Sequence, residues 1–200
     1  MTKIVGLTGG IGSGKSSITA LLTEFAIPII DTDILARQLV EPGSAALQEI
    51  TDLFGANFIQ KDGQLNRALL RKHVFNDAEK KQQLENILHP KIQAATQEKI
   101  AFYQQQNPKL IVIAIPLLVE GIIKNGEKPH YIDIIWVVDC SEQQQLERAS
   151  QRDNNDPALI QKIIDQQVKR NTRLEYADQI IDNSGDATSL RQQVKKLVSS

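Results

Sequence analysis

The sequence predicts an α/β fold: a five-stranded parallel sheet flanked by helices, with a helical lobe. Three observations predict it. Short runs rich in Ile and Val recur along the chain, and two of them are almost continuously apolar, as parallel strands covered on both faces are. Amphipathic helical patterns lie between the runs. A glycine-rich loop ending in Lys-Ser follows the first run directly.

In order, the predicted strands are "KIVGLT" (3–8), "PIIDT" (28–32), "KLIVIAIP" (109–116), "YIDIIWVV" (131–138) and "DQIID" (178–182). The helical pattern over 16–26 sets Ile18, Leu21, Leu22 and Phe25 on one stripe. A second over 157–170 aligns Leu159, Ile160, Ile163, Ile164 and Val168, with Pro157 suited to a first turn. The span 34–107 has no strand run. It reads as helices joined by the turn signals "EPGS" (41–44) and "QKDGQ" (60–64), too long for a plain crossover and therefore a lobe with its own task. The Gln tracts at 104–106 and 143–145 read as solvated faces and loops, and Trp136 and Cys140 as core and strand-end residues.

The 200 residues are 41% hydrophobic and 24% charged, with a net charge of −1, which argues against a general nucleic-acid or membrane surface. One cysteine, Cys140, excludes an intrachain disulfide and a thiolate metal cluster. The N-terminal apolar stretch is too short for a signal peptide, and the longest apolar run, "LIVIAIPLLV" (110–119), falls short of a membrane span. A cytoplasmic protein is expected.

"GLTGGIGSGKSS" (6–17) carries Gly9-x-x-x-x-Gly14-Lys15-Ser16 between a predicted strand and a predicted helix, the context a phosphate-binding P-loop requires. Gly9, Gly10, Gly12 and Gly14, with Ile11 and Ser13 between them, let backbone N–H groups curl around phosphate oxygens. The helix N-terminus at Lys15, Ser16 and Ser17 adds its dipole. Lys15 suits the β- and γ-phosphates of ATP, and the Ser16 hydroxyl suits Mg²⁺. The loop alone leaves the acceptor open: water, a bound substrate, or none, as in a binding switch.

"PIIDTDILAR" (28–37) narrows the choice. A strand extended through Thr32 turns Asp31 and Asp33 to one side. If it neighbours strand 1, the pair lies beside the γ-phosphate at the strand ends. There Asp33 can accept a proton from an attacking hydroxyl and Asp31 can support Mg²⁺ through water. The alternative is that Asp33 only caps the next helix. Strand 3 closes without a carboxylate until Glu120, and a guanine-reading Asn-Lys-x-Asp is absent, so the pattern favours a small-molecule kinase over a GTPase or motor.

These residues resemble the dephospho-CoA kinase family of P-loop kinases. The resemblance runs through "LTGGIGSGKSS", "IIDTDILARQLVEPG", "KDGQLNRALLRKHVF" (61–75), "LENILHPKI" (84–92), "IPLLVE" (115–120), "LERASQRD" (146–153) and "ADQIIDNSG" (177–185). The chain departs from the family pattern at Thr32, Ala114 and Val119, where many members carry Ala, an acidic residue and an aromatic residue. The resemblance implies transfer of the ATP γ-phosphoryl to the ribose 3′-hydroxyl of dephospho-CoA, the last step of coenzyme A synthesis, with Asp33 as the base. It also implies a nucleotide-binding core over 1–33 and 108–200, a lid over about 141–170 and an acceptor lobe over 34–107. Arg67 and His89, with Leu117 and Leu118, are acceptor candidates. Arg148 and Arg152 share a helix face and are lid candidates, Arg148 for ATP and Arg152 for the transferring group. Asn183 is a candidate for the nucleotide. The expected partners are ATP and dephospho-CoA alone, with no nucleic acid or membrane, and a monomer or weak homo-oligomer. Rival readings are another nucleoside or nucleotide kinase and a non-catalytic nucleotide-dependent regulator.

Overall fold

The computed structural model describes residues 2–75 and 77–199. Five strands, β1 (Lys3–Thr8), β2 (Ile29–Asp31), β3 (Leu110–Ala114), β4 (Ile134–Asp139) and β5 (Gln179–Asp182), form one sheet in the order β2-β3-β1-β4-β5. Every pairing is parallel, as the sequence predicts. The chain divides into two compact units. One holds the residues up to Asp31 and from Phe102 onward, and the other is Thr32–Ala101.

The first unit contains the sheet. Helices α1 (Lys15–Glu24) and α10 (Ala187–Ser199) supply Ile18, Leu22, Leu190 and Val194 to a core with Val5, Leu7, Val112, Trp136, Val138 and Ile181. A second cluster joins Leu118 and Ile122, from α6 (Leu118–Asn125), to Ile132, Ile135 and Val137. All five residues of β3 are buried, which explains why its sequence is apolar without alternation. Each large aliphatic side chain buried in this way contributes about 1.5–3 kcal/mol.

Three helices follow β4: α7 (Glu142–Asp153), α8 (Pro157–Gln166) and α9 (Arg170–Glu175). A capping box of Ser141 and Gln144 starts α7, and Asn154 ends it in left-handed backbone. Asp156 caps α8, whose first residue is Pro157. Ala149, Ile160 and Ile164 join α7 to α8, with Ile11 packed against them. The continuous helix expected over 157–170 is thus two helices. Its apolar stripe is real at Ile160 and Ile164, but Leu159 is exposed and Val168 lies in the connector at 167–169.

The second unit is helical: α2 (Thr32–Gln38), α3 (Ala45–Phe54), a 3₁₀ turn (Ala56–Phe58), α4 (Arg67–Phe75) and most of α5 (Ala78–Gln104). Val40, Leu47, Ile50, Phe58, Leu65, Leu70 and Val74 make its core. Ser44 caps α3, its hydroxyl accepting from the Leu47 N–H at 3.2 Å. The turn expected at "QKDGQ" is held by Asp62, whose carboxylate accepts from the Gln64 N–H at 3.0 Å.

Two expectations about Asp31 and Asp33 are corrected here. The strand stops at Asp31 and α2 begins at Thr32, so the extended i, i+2 geometry does not exist; Asp33 sits in the first turn of a helix. Nor is β2 a neighbour of β1. It pairs with β3, in the register Asp31–Ala114, and Ala114 in turn pairs with Leu7. An entire strand separates Asp31 from the strand that feeds the phosphate loop.

Candidate active site

The phosphate loop runs from the end of β1 into the first turn of α1. Gly12 (φ +71°) and Gly14 (φ +96°) hold left-handed backbone, open to glycine without strain. A side chain is excluded by space as well. A Cβ on Gly12 would overlap the Gln145 carbonyl oxygen, and one on Gly14 would overlap the Asn183 amide nitrogen. Within the loop, the Ser13 N–H donates to the Gly10 carbonyl (3.1 Å) and the Ser17 N–H to the Gly14 carbonyl (2.9 Å). The N-cap of α1 is Gly14 itself, with no capping side chain among the described residues. The first-turn N–H groups at Lys15 and Ser16 can therefore receive an anion, with the helix dipole behind them. Ser16 and Ser17 are exposed and Lys15 is half-buried.

Side chains brace this loop from behind. The Asn183 side-chain amide, beyond β5, donates to the Ser13 carbonyl at 2.7 Å, and the Asn183 N–H donates to the Asp139 carbonyl at 2.8 Å. Gln145 of α7 is buried. Its amide donates to the Cys140 carbonyl at 3.2 Å, and its Oε1 would lie 2.5 Å from a Cβ on Gly10. The expectation that the tract 143–145 is solvated fails at this residue, because its third glutamine turns inward while Gln143 stays exposed. Gln167, in the α8–α9 connector, accepts from the Ile11 N–H at 3.0 Å.

The arginines divide. Arg148 is half-buried, and its Nη1 is enclosed without a hydrogen-bond partner. Arg152, one turn on, is exposed and holds Asp153 through two bonds of 2.7 Å. That bond raises the Arg152 guanidinium above its ordinary pKa and lowers the Asp153 carboxyl. Arg170, at the start of α9, makes a two-pronged pair with Asp139 at the end of β4 (2.8 and 2.6 Å). This pair raises Arg170 as well. Burial pushes the Cys140 thiol up, against the opposing pull of Arg148.

After β3 the apolar pair splits. Leu117 is 52% exposed, whereas Leu118 is 3% exposed and fills the space beside Gly6. Leu118 is thus a core residue, and the acceptor contact expected of it is withdrawn. In the helical unit, Arg67 opens α4 and donates to the Arg37 carbonyl at the end of α2 (2.9 Å). His89 is exposed and precedes Pro90 inside α5, so "HP" marks a point within a long helix. A cleft of about 540 Å³ lined by Ser44, Gln48, Thr51 and Ile59 contains neither Arg67 nor His89.

Sequence reasoning missed Gln145, Gln167, Asp139, Arg170 and Arg173, and it gave Glu120 no role. A phosphate loop opening a helix after the central strand of a five-stranded parallel sheet is the arrangement of P-loop kinases. A sequence model of the dephospho-CoA kinase family matches residues 3–189. The chain belongs to the dephospho-CoA kinase family. A dephospho-CoA kinase of Aggregatibacter actinomycetemcomitans is 44% identical over 198 residues, covering 99% of this chain and 92% of the relative. A solved dephospho-CoA kinase of Campylobacter jejuni is similar at 27% identity and TM-score 0.71, covering 100% of this chain and 96% of its own. A solved protein of Thermus thermophilus superposes at TM-score 0.83 and 25% identity, covering 99% and 97%. Membership of the dephospho-CoA kinase family makes the chain a kinase that uses ATP. None of its described helices is long and apolar enough to cross a membrane.

Proposed function

We propose that this chain transfers the γ-phosphoryl group of ATP to the ribose 3′-hydroxyl of dephospho-CoA. The bond from the γ-phosphorus to its bridging oxygen breaks, a bond to the 3′-oxygen forms, and the products are ADP and CoA. The family match over residues 3–189 carries the reading. The left-handed glycines and the uncapped N-terminus of α1 support it, since both suit a polyphosphate.

In this reading, backbone N–H groups over Gly9–Ser17 cradle the phosphates and Lys15 neutralises charge between the β- and γ-positions. Asp33, in the first turn of α2, takes the hydroxyl proton or orients the hydroxyl for attack. Arg152 leaves Asp153 to stabilise the transferring group, while Arg148 and Asn183 serve the nucleotide. Arg67, His89 and Leu117 are proposed for the acceptor. The Ser16 hydroxyl, exposed in the first turn of α1, is the kind of oxygen donor that suits Mg²⁺, and Asp31 suits a bound water. Held by these residues, Mg²⁺ would draw negative charge from the phosphates. The helical unit Thr32–Ala101 is proposed to take the acceptor, and α7 with α8 to act as the lid that excludes water. We place the protein in the cytoplasm, as a monomer or weak homo-oligomer.

The test is coupled ADP release with and without dephospho-CoA. Release should rise sharply on adding it, with 3′-phosphorylated product recovered. A rate that stays at background hydrolysis defeats the proposal. A preference for nucleosides would instead indicate a different small-molecule kinase.

A further inference from the structure

Three contacts converge on the short connector between α8 and α9. The Val168 N–H donates to Glu120 Oε1 at 3.1 Å, and Arg173 Nη2 donates to the Val168 carbonyl at 2.8 Å. Glu120 and Arg173 face each other at 3.5 Å. Next to Val168, Gln167 holds the Ile11 N–H. One side chain from α6 and one from α9 thus grip both backbone polar groups of a single connector residue.

Arg173 also reaches the phosphate loop: its Nη1 lies 3.0 Å from where a Cβ on Gly10 would stand. The residue is only 5% exposed, and both its Nε and Glu120 Oε2 are enclosed without partners. Burying an arginine beside a carboxylate carries a desolvation penalty that the 3.5 Å ion pair and the two bonds to Val168 have to offset. The position of the pair suggests a purpose. Ile11 is held at two points, its side chain against the α7–α8 cluster and its N–H by Gln167. Arg173 stands beside Gly10, the residue before it, and bonds the connector that bears Gln167.

We propose that Arg173, with Glu120 as its counter-ion, is a positioning residue for phosphoryl transfer. It locks the phosphate loop at Gly10–Ile11 in register with the base of the α7–α8 pair, so that nucleotide in the loop sets the position of those helices. This deepens the kinase reading, but its first measurement needs only ATP. Lys in place of Arg keeps the charge and loses the fork that bonds Val168, faces Glu120 and fills the space beside Gly10.

The experiment compares the full-length protein with Arg173→Lys and with Gln167→Ala, the latter at a half-buried connector site. Hydrogen exchange of the α7–α8 amides is followed with and without ATP, beside ATP affinity by calorimetry. ATP should protect these amides in the parent protein. In both variants the protection should be lost while ATP affinity changes by less than about threefold, well within one decade of Kd. With dephospho-CoA, the ratio of ATP hydrolysed to phosphoryl transferred should rise about tenfold, as expected when closure no longer excludes water. If Arg173→Lys does not fold, Gln167→Ala carries the test. Protection retained in a folded variant, or no protection by ATP in the parent, overturns the proposal. An ATP affinity loss of about thirtyfold or more with an unchanged ratio also overturns it, because Arg173 would then be a direct phosphate ligand. A parent protein that shows the exchange behaviour but phosphorylates no dephospho-CoA sinks the dephospho-CoA reading and leaves this one standing.

Discussion

Replacing Gly14 by Ala tests whether the phosphate loop is held by backbone and space together. Two penalties follow from the structure. At φ +96° an L-residue is strained by about 1–2 kcal/mol. The new Cβ also overlaps the Asn183 amide, which must move and give up its 2.7 Å bond to the Ser13 carbonyl. Leaving a buried acceptor unpaired costs about 1–3 kcal/mol. Gly14→Ala should therefore destabilise the ligand-free protein by about 2–5 kcal/mol. Asn183→Ala alone should cost about 1–3 kcal/mol, through the lost bond only. In the double variant the obstacle is already gone, so the effects should fall short of additivity by about 1–3 kcal/mol. Denaturant melts of the two single variants and the double give the cycle, and calorimetry with ATP shows how far the loop still binds. Additivity within about 0.5 kcal/mol would refute the claim that Asn183 and Gly14 share one space.

Other perturbations separate the proposed roles. Asp33→Asn should keep ATP affinity while turnover falls by about 10²-fold or more, and unchanged turnover would reduce Asp33 to a helix-start residue. Arg152→Ala should lower turnover by about 10²-fold, whereas Asp153→Ala, which releases the guanidinium and lets its pKa fall back toward the ordinary value, should leave it charged and active. Equal, small effects in steady-state assays would make the pair a surface salt bridge. Cys140 is buried, and its raised pKa leaves less thiolate at any given pH. A disulfide reagent at pH 8 should therefore modify it slowly until the chain unfolds, and immediate labelling of the native protein would contradict this. Pro90→Ala restores a donor inside α5 and should raise the unfolding free energy by up to about 3 kcal/mol, seen as a higher denaturant midpoint. A lower midpoint would show that the surrounding packing depends on proline.

The strands and the phosphate loop were legible because their signals are local: continuous apolar runs, and glycines at fixed spacing before a Lys-Ser pair. Strand order was not, since which runs pair is a property of the folded sheet. Hence the sequence leaves open whether β2 neighbours β1, and in the sheet β3 lies between them. The break between α8 and α9 has no Gly or Pro to announce it; side-chain bonds from Glu120 and Arg173 to Val168 stabilise it, and both partners are distant or inconspicuous in the sequence. Gln145 looked like part of a polar tract, and only its place one turn into α7, against the loop, makes it interior. Leu118 failed as a ligand contact for the opposite reason: an apolar residue at a strand end can face either way, and this one faces the sheet.

The helical unit interrupts the chain between Asp31 and Phe102, in the crossover that joins β2 to β3. Among the described residues it has a core of its own, built from Val40, Leu47, Ile50, Phe58, Leu65, Leu70 and Val74. A parallel crossover needs only a dozen or so residues. On the proposed reading, in which this insert takes the acceptor, exchanging it for another would change the molecule to be modified while the loop that handles the polyphosphate stays untouched. The same modularity gives a protein engineer a natural cut point: a sheet bridged by a short helical crossover, or grafted with a foreign insert, tests whether donor and recipient recognition are separable in this scaffold.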